Sequence, residues 1–278
     1  MAGESGGKDP VEYIQHHLHN WSVGSGALAL NLDTILFSLI AGGVLVGVAW
    51  WVGRRVTSGR PGRMQGFLEV TVDFVNGQVR QAFPGRDPLI GPLALTVFLW
   101  VSAVNALDLI PVDLLPRVAQ WVGMAFGLNP QDVHLRIVPS ADVGMTLAVA
   151  LSVFVLTIIY GVRARGLGGY LKRFLAHPYG MWMAPFNLML TLVEEFAKPL
   201  SLALRLWGNF FAGELIFMLI ALFGYSVWAA PGQFALDWAW SWFETLEVLL
   251  QAFIFMLLTV VYLAMAAEKE EHQPADAG

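Results

Sequence analysis

The sequence has no cysteine, so neither disulfides nor thiol chemistry are open to it. It is also poor in charge. Asp, Glu, Lys and Arg make up 13% of its 278 residues, about half the share of a soluble domain. What charge there is lies segregated along the chain, so the formal net charge of −5 says little by itself. Charge is absent altogether from residues 35–52, 89–107, 143–162, 215–236 and 248–267. Each run is close to the ~20 residues that a bilayer-spanning helix needs. Neither a soluble core nor a closed barrel requires such runs. No internal repeat is visible, which weakens an inverted-repeat transporter reading. Residues 1–34 lack a basic start followed by an apolar core, so no signal peptide is expected there.

The expected fold is therefore all-α, a polytopic membrane protein with about five crossing helices. Residues 1–34 form a segment before the membrane. A single helical membrane domain fills 35–267, with crossings at about 35–53, 89–110, 142–162, 186–223 and 238–267. A tail follows at 268–278. Within 64–83 the apolar residues Phe67, Leu68, Val72, Val75, Val79 and Phe83 recur at three- and four-residue spacing, with Glu69, Asp73 and Arg80 between them. That pattern predicts an amphipathic helix lying on the membrane surface.

Basic residues set the orientation. Arg54, Arg55, Arg60 and Arg63 follow the first crossing without acids among them, and Arg163, Arg165, Lys172 and Arg173 follow the third. The positive-inside rule places both Arg-rich loops in the cytoplasm, with the N-terminus outside and the C-terminus inside. His16, His17 and His19 could bind a metal. An interfacial surface patch is the preferred reading, so no metal site and no cofactor is expected. Nothing points to nucleic acid.

Arg205 is the most informative residue. From 174 to 267 the only other basic residue is Lys198. An arginine at bilayer depth costs ~2.5 kcal/mol or more, and it cannot shed its proton to escape that cost. No carboxylate stands three or four positions away on its helix. A partner must come from water, another helix or another chain. Ser201, Arg205 and Asn209 are four residues apart and form one stripe. Glu214 lies nine positions beyond Arg205, about half a turn round and ~13.5 Å along a regular helix. Glu244, Glu247 and Gln251 form a second stripe on the last crossing. Asn105, Asp108 and Asp113 approach the outer end of the second, and Glu194, Glu195 and Lys198 the inner end of the fourth. Acids strung along crossings on both sides of a central cation suggest a proton path in two halves.

Several segments together resemble a known family. KPLSLALRLWGNFFAGELIF and LQAFIFMLLTVVYLAMA are similar to the signature segments of subunit a of the bacterial rotary ATP synthase. NALDLIPVDLLP, RIVPSADV, TSGRPGRMQ and YIQHHLHN extend the resemblance over nearly the whole chain in the family's order.

The resemblance implies a non-catalytic, proton-translocating stator subunit in the bacterial inner (plasma) membrane. Its partners would be a ring of small hairpin subunits, the peripheral-stalk b subunits and the remaining ATP synthase subunits. Arg205 would face the ring, with Asn209, Glu214 and Gln251 at further functional positions. The last two crossings would be long and tilted against the ring. In well-known relatives a histidine stands seven residues before the glutamine matching Gln251. Here that position is Glu244, with Glu247 added, so the uptake path would relay through carboxylates. Glu194 and Glu195 would line the exit side. Two readings from other classes remain: a secondary transporter with Arg205 clamping an anionic solute, and a scaffold in which Arg205 is a structural ion pair. Protons are favoured over sodium because no cation cage is evident.

Overall fold

The structure is a computed structural model. It describes residues 22–24, 30–57, 59–83, 85, 87–110, 124, 138–176, 179–223 and 230–267. His16, His17, His19, Asp113 and the tail at 268–278 lie outside the described residues.

A short antiparallel pair, β1 (Ser22–Val23) with β2 (Leu30–Asn31), leads into α1 (Leu32–Gly53). Then follow α2 (Arg63–Ala82), α3 (Ile90–Ala106), α4 (Val143–Ala176), α5 (Ala184–Phe223) and α6 (Ala230–Ala267). A 3-10 turn at Leu107–Leu109 extends α3. Among the described residues, five helices are long and apolar enough to cross a membrane: Leu32–Gly53, Ile90–Leu109, Val143–Leu175, Met181–Ile220 and Pro231–Ala267. This is the all-α, five-crossing architecture the charge-free runs require. α5 and α6 have 40 and 38 residues. At 1.5 Å per residue each is far longer than a ~30 Å hydrocarbon core.

Two features depart from the sequence expectation. The Arg-rich segment after the third crossing is not a loop, because α4 runs on to Ala176 through Arg163, Arg165, Lys172 and Arg173. Hydropathy marks where a helix leaves the apolar layer, whereas Arg, Leu and Lys continue it without penalty. The helix breaks once on the way, at Gly166 (φ 71°, ψ 163°). Pro231, Gly232 and Gln233 likewise belong to the first turn of α6 and not to the connection before it. Proline is tolerated there because first-turn N–H groups have no intrahelical acceptor.

The chain divides into two compact units. The first comprises Met1–Val56, Leu99–Met145 and Leu206–Ala252. In it Asp142 acts as a clasp. Its Oδ2 accepts from Asn31 Nδ2 at 2.7 Å and from Thr34 Oγ1 at 3.0 Å. Its Oδ1 accepts from the Gly144 backbone N–H at 2.8 Å, the bond an N-cap makes. The start of α1 is thus tied to the start of α4.

The second unit comprises Thr57–Phe98, Thr146–Arg205 and Phe253–Gly278. Its core joins Val75 and Phe83 to Ile90, Ala94, Tyr160 and the Met256–Val260–Leu263–Ala264 ladder of α6. Val75 is fully buried. The amphipathic helix α2 therefore docks by part of the apolar stripe read from the sequence, Val75, Val79 and the following Phe83, whereas Phe67 of that stripe is exposed, as are Met64 and Val70. Buried Asn187 closes the turn from α4 to α5. Its Nδ2 donates to the carbonyls of Leu175 (3.0 Å) and Gly180 (2.7 Å), and its Oδ1 accepts from the Tyr179 N–H (3.2 Å).

Candidate ion-path residues

In the first unit, α3, α5 and α6 bring a set of polar side chains together. Asn105, Asp108, Glu214, Glu244 and Gln251 are all at most 3% exposed. Asn209 and Glu247 are half-buried. The helical spacing explains the set. Gln251 follows Glu244 by seven residues and so shares its face. On α5 the outward half-turn offset puts Glu214 into the interior. Asn209 Nδ2 donates to Gln251 Oε1 at 3.4 Å, linking α5 to α6 across 42 residues.

Glu244 is fully buried and rests on Gly213. A Cβ at Gly213 would lie 2.7 Å from Glu244 Oε1 and 3.1 Å from both Cδ and Oε2. The missing side chain at 213 is what leaves room for the carboxyl group. Asp108, in the 3-10 turn that ends α3, comes within interaction range of Glu244. Neither Glu244 oxygen makes a hydrogen bond of regular geometry to a described residue, and the same holds for both polar atoms of Asn105 and for Gln251 Nε2. Leaving such a group buried and unpaired costs about 1–3 kcal/mol. Several such groups side by side are uncommon in a folded interior.

In the second unit the polar groups are arranged differently. Lys198 Nζ bridges Glu194 Oε1 at 2.9 Å and Glu195 Oε1 at 3.1 Å. Glu194 is exposed and Glu195 buried. Pro199, just beyond, has no N–H to give the Glu195 carbonyl. Around Glu195 and Lys198 a small cleft, with room for about one water, is walled by Thr157, Tyr170, Arg173 and Tyr262.

Ser201 and Arg205 stand apart from both sets. They are exposed on α5, while Leu202, Ala203, Leu206 and Phe210 on its other face are buried. Exposed Leu200 and Leu204 flank them, so the arginine sits on an apolar surface. Among the described residues Arg205 has no ion pair and no hydrogen bond. It lies one turn from Asn209 and ten residues from Glu195, a rise of about 15 Å. Among the described residues no group of His, Asp and Glu could hold a metal ion.

The sequence model of the family described as "ATP synthase A chain" matches residues 35–264. The chain belongs to that family. A protein of Idiomarina loihiensis, named ATP synthase subunit a, is 46% identical over 268 residues, covering 95% of this chain and 99% of its own. Proteins of the same name from Alkalilimnicola ehrlichii and Aeromonas salmonicida are 43% and 47% identical, each over at least 92% of both chains. Membership makes this a multi-pass membrane subunit of the ATP synthase complex, outside that complex's catalytic part.

Read as a member of that family, the chain still holds groups that spacing alone did not single out. Gly213 is one, although a small residue directly before a buried acid was a usable signal. Tyr262, Tyr170, Thr157 and Arg173 are others. They come from separate helices, and only tertiary structure gathers them. The break at Gly166 was also not read from the sequence, although the glycines at 166, 168 and 169 were a usable signal for it.

Proposed function

We propose that this chain is the proton-translocating stator subunit of the rotary ATP synthase, with Arg205 as its ring-facing charge. The observation that carries the reading is the exposed, unpartnered guanidinium on an apolar face of a membrane helix. A fixed cation there is unstable against lipid alone. It calls for a carboxylate brought by another chain, and a ring of small hairpin subunits with mid-membrane carboxylates would bring one repeatedly.

The chemistry follows from the two polar sets. Glu214, Glu244, Gln251 and Asn209, with Asp108, Asn105 and Glu247 beside them, form the outer half-channel. Two carboxyl groups as close as Glu244 and Asp108 hold one shared proton more cheaply than two charges. That makes them a relay instead of a fixed ion pair. Asp113 extends this path outward. Glu194 and Glu195 form the inner, exit half-channel, and Ser201 continues the polar stripe that leads to Arg205. Arg205 favours the ionised ring carboxylate as it passes, so the proton leaves on one side and the next carboxylate is reloaded on the other. It also repels a proton moving straight from one half-channel to the other. Each charge carried across 100 mV is worth ~2.3 kcal/mol. Contact with the ring must therefore be wet and weak, since a tightly buried pair costs several kcal/mol to break. Peripheral-stalk b subunits would hold the chain against the torque. An outside N-terminus and a cytoplasmic C-terminus in the bacterial inner membrane complete the proposal. A solute clamp is less well supported, because Arg205 does not line the cleft around Glu195.

The test is Arg205→Ala in the assembled complex. ATP-driven proton pumping in vesicles should vanish while subunit composition stays the same. Lysine should not restore it fully, because its compact, hydrated ammonium lacks the planar fork. Near-normal coupled pumping by the alanine variant would refute the proposal.

A further inference from the structure

Tyr170 and Gly161 touch, although both belong to α4. On a regular helix, residues nine apart lie half a turn round from each other and about 13.5 Å apart along the axis. The break at Gly166 removes that separation by turning the end of the helix back. Its backbone (φ 71°, ψ 163°) is one that side chains other than hydrogen rarely adopt. The fit of the returning ring is tight. A Cβ on Gly161 would lie 2.7 Å from Tyr170 Cε2 and 2.9 Å from Cδ2. On its other side the ring packs edge-on against Phe174, with centroids 5.3 Å apart. Tyr170 and Arg173 thereby become a wall of the cleft that holds Glu195, Lys198, Thr157 and Tyr262. Glu195 lacks the exposure of its neighbour Glu194, and apolar Val153, Phe154 and Leu202 line the space on one side of it. It is a buried carboxyl group paired with Lys198 in a cleft of mixed polar and apolar lining, one wall of which is a folded-back aromatic ring.

We infer that Tyr170 is a positioning residue of this inner cleft, held on Gly161 by the Gly166 break so that its ring limits the access of water to the Glu195–Lys198 pair. The inference rests on the assignment of Glu195 to the exit path. It gives that path a specific wall whose placement depends on two glycines.

The absence of cysteine from the chain permits a direct test. Thr157→Cys puts a single thiol into the cleft, and its rate of reaction with a small, charged, water-soluble thiol reagent reads access to it. The complex is used whole, in membrane vesicles that expose the Lys172 face, with Lys172→Cys as an exposed reference. Tyr170→Ala removes the ring. Gly161→Ala leaves Tyr170 in the sequence but takes away its seat. In either background the cleft thiol should react roughly tenfold faster or more, since thiol reactivity follows access, while the Lys172→Cys rate stays unchanged. Tyr170→Phe keeps the ring and should keep the slow rate. Equal rates in all backgrounds would overturn the inference. So would acceleration by Tyr170→Ala alone, which would show that the place of the ring does not depend on Gly161. Labelling reads the wall whether or not protons are pumped. Failure here is therefore separable from failure of the proposed role of Arg205.

Discussion

At the scale of single residues, the pair Gly213 and Glu244 gives the sharpest expectation. The glycine has no unusual backbone angle, so its role is space alone. Gly213→Ala should force the buried Glu244 carboxyl group to move, at an overpacking cost of ~1–3 kcal/mol. Pumping should fall, and shortening the acid with Glu244→Asp in the same chain should recover part of it. Gly43→Ala, where a Cβ meets nothing within 4 Å, is the control. Pumping by Gly213→Ala equal to that control would show that Glu244 need not sit where it does. A second expectation concerns the chemistry of Glu244. If it relays protons, Glu244→His should be tolerated better than Glu244→Leu, because imidazole can carry a proton and leucine cannot. The comparison is the pH dependence of pumping in the two variants. Equal, wild-type rates for both would remove Glu244 from the uptake path.

Helices show where the sequence was legible and where it was not. The apolar runs located five membrane helices, because bilayer thickness imposes a length that chance rarely produces. The three- and four-residue spacing in 64–83 likewise gave α2 and its buried Val75. The length of α4 was hidden, because its last turns leave the apolar layer and no longer obey hydropathy. Of the buried polar set, Glu214, Glu244 and Gln251 were conspicuous in the sequence, as was Arg205 apart from it, because charge and amide groups stand out in an apolar run. The cleft around Glu195 was not, since Thr157, Tyr170 and Tyr262 are individually ordinary residues. The break in α4 has a measurable energy. Gly166→Ala should destabilise the protein by ~1–3 kcal/mol, the cost of holding a side chain in a sparsely populated backbone region. Gly168→Ala, two residues on with free space around it, should be neutral or stabilising by up to ~1 kcal/mol. Thermal unfolding of the purified complex compares them. A midpoint for Gly166→Ala as high as that for Gly168→Ala would mean that the break relaxes into regular helix at no cost.

For the whole molecule, the proposed topology can be checked independently of any transport assay. If all five apolar helices of the described residues cross, the proposed topology puts the termini on opposite sides. The C-terminal end of α1 carries the local signature of an interface. Arg54 lies 3.9 Å above the ring of Trp50 and Arg55 lies 4.7 Å above that of Trp51, with all four side chains exposed. Indole rings with cations stacked on them suit the headgroup region, where an apolar body and a polar tip are both satisfied. Under the positive-inside rule the proposed orientation puts that end, and the Arg163–Arg173 stretch of α4 two crossings later, on the cytoplasmic side. In this cysteine-free chain, single cysteines at Ser5 and Ala277 should accordingly label from opposite faces of sealed vesicles with an impermeant thiol reagent. Ser5→Cys should label from the outer face and Ala277→Cys from the cytoplasmic face. Labelling of both from one face would require an even number of crossings. It would mean that α5 or α6, each long enough to cross at a steep tilt, instead turns back within the membrane.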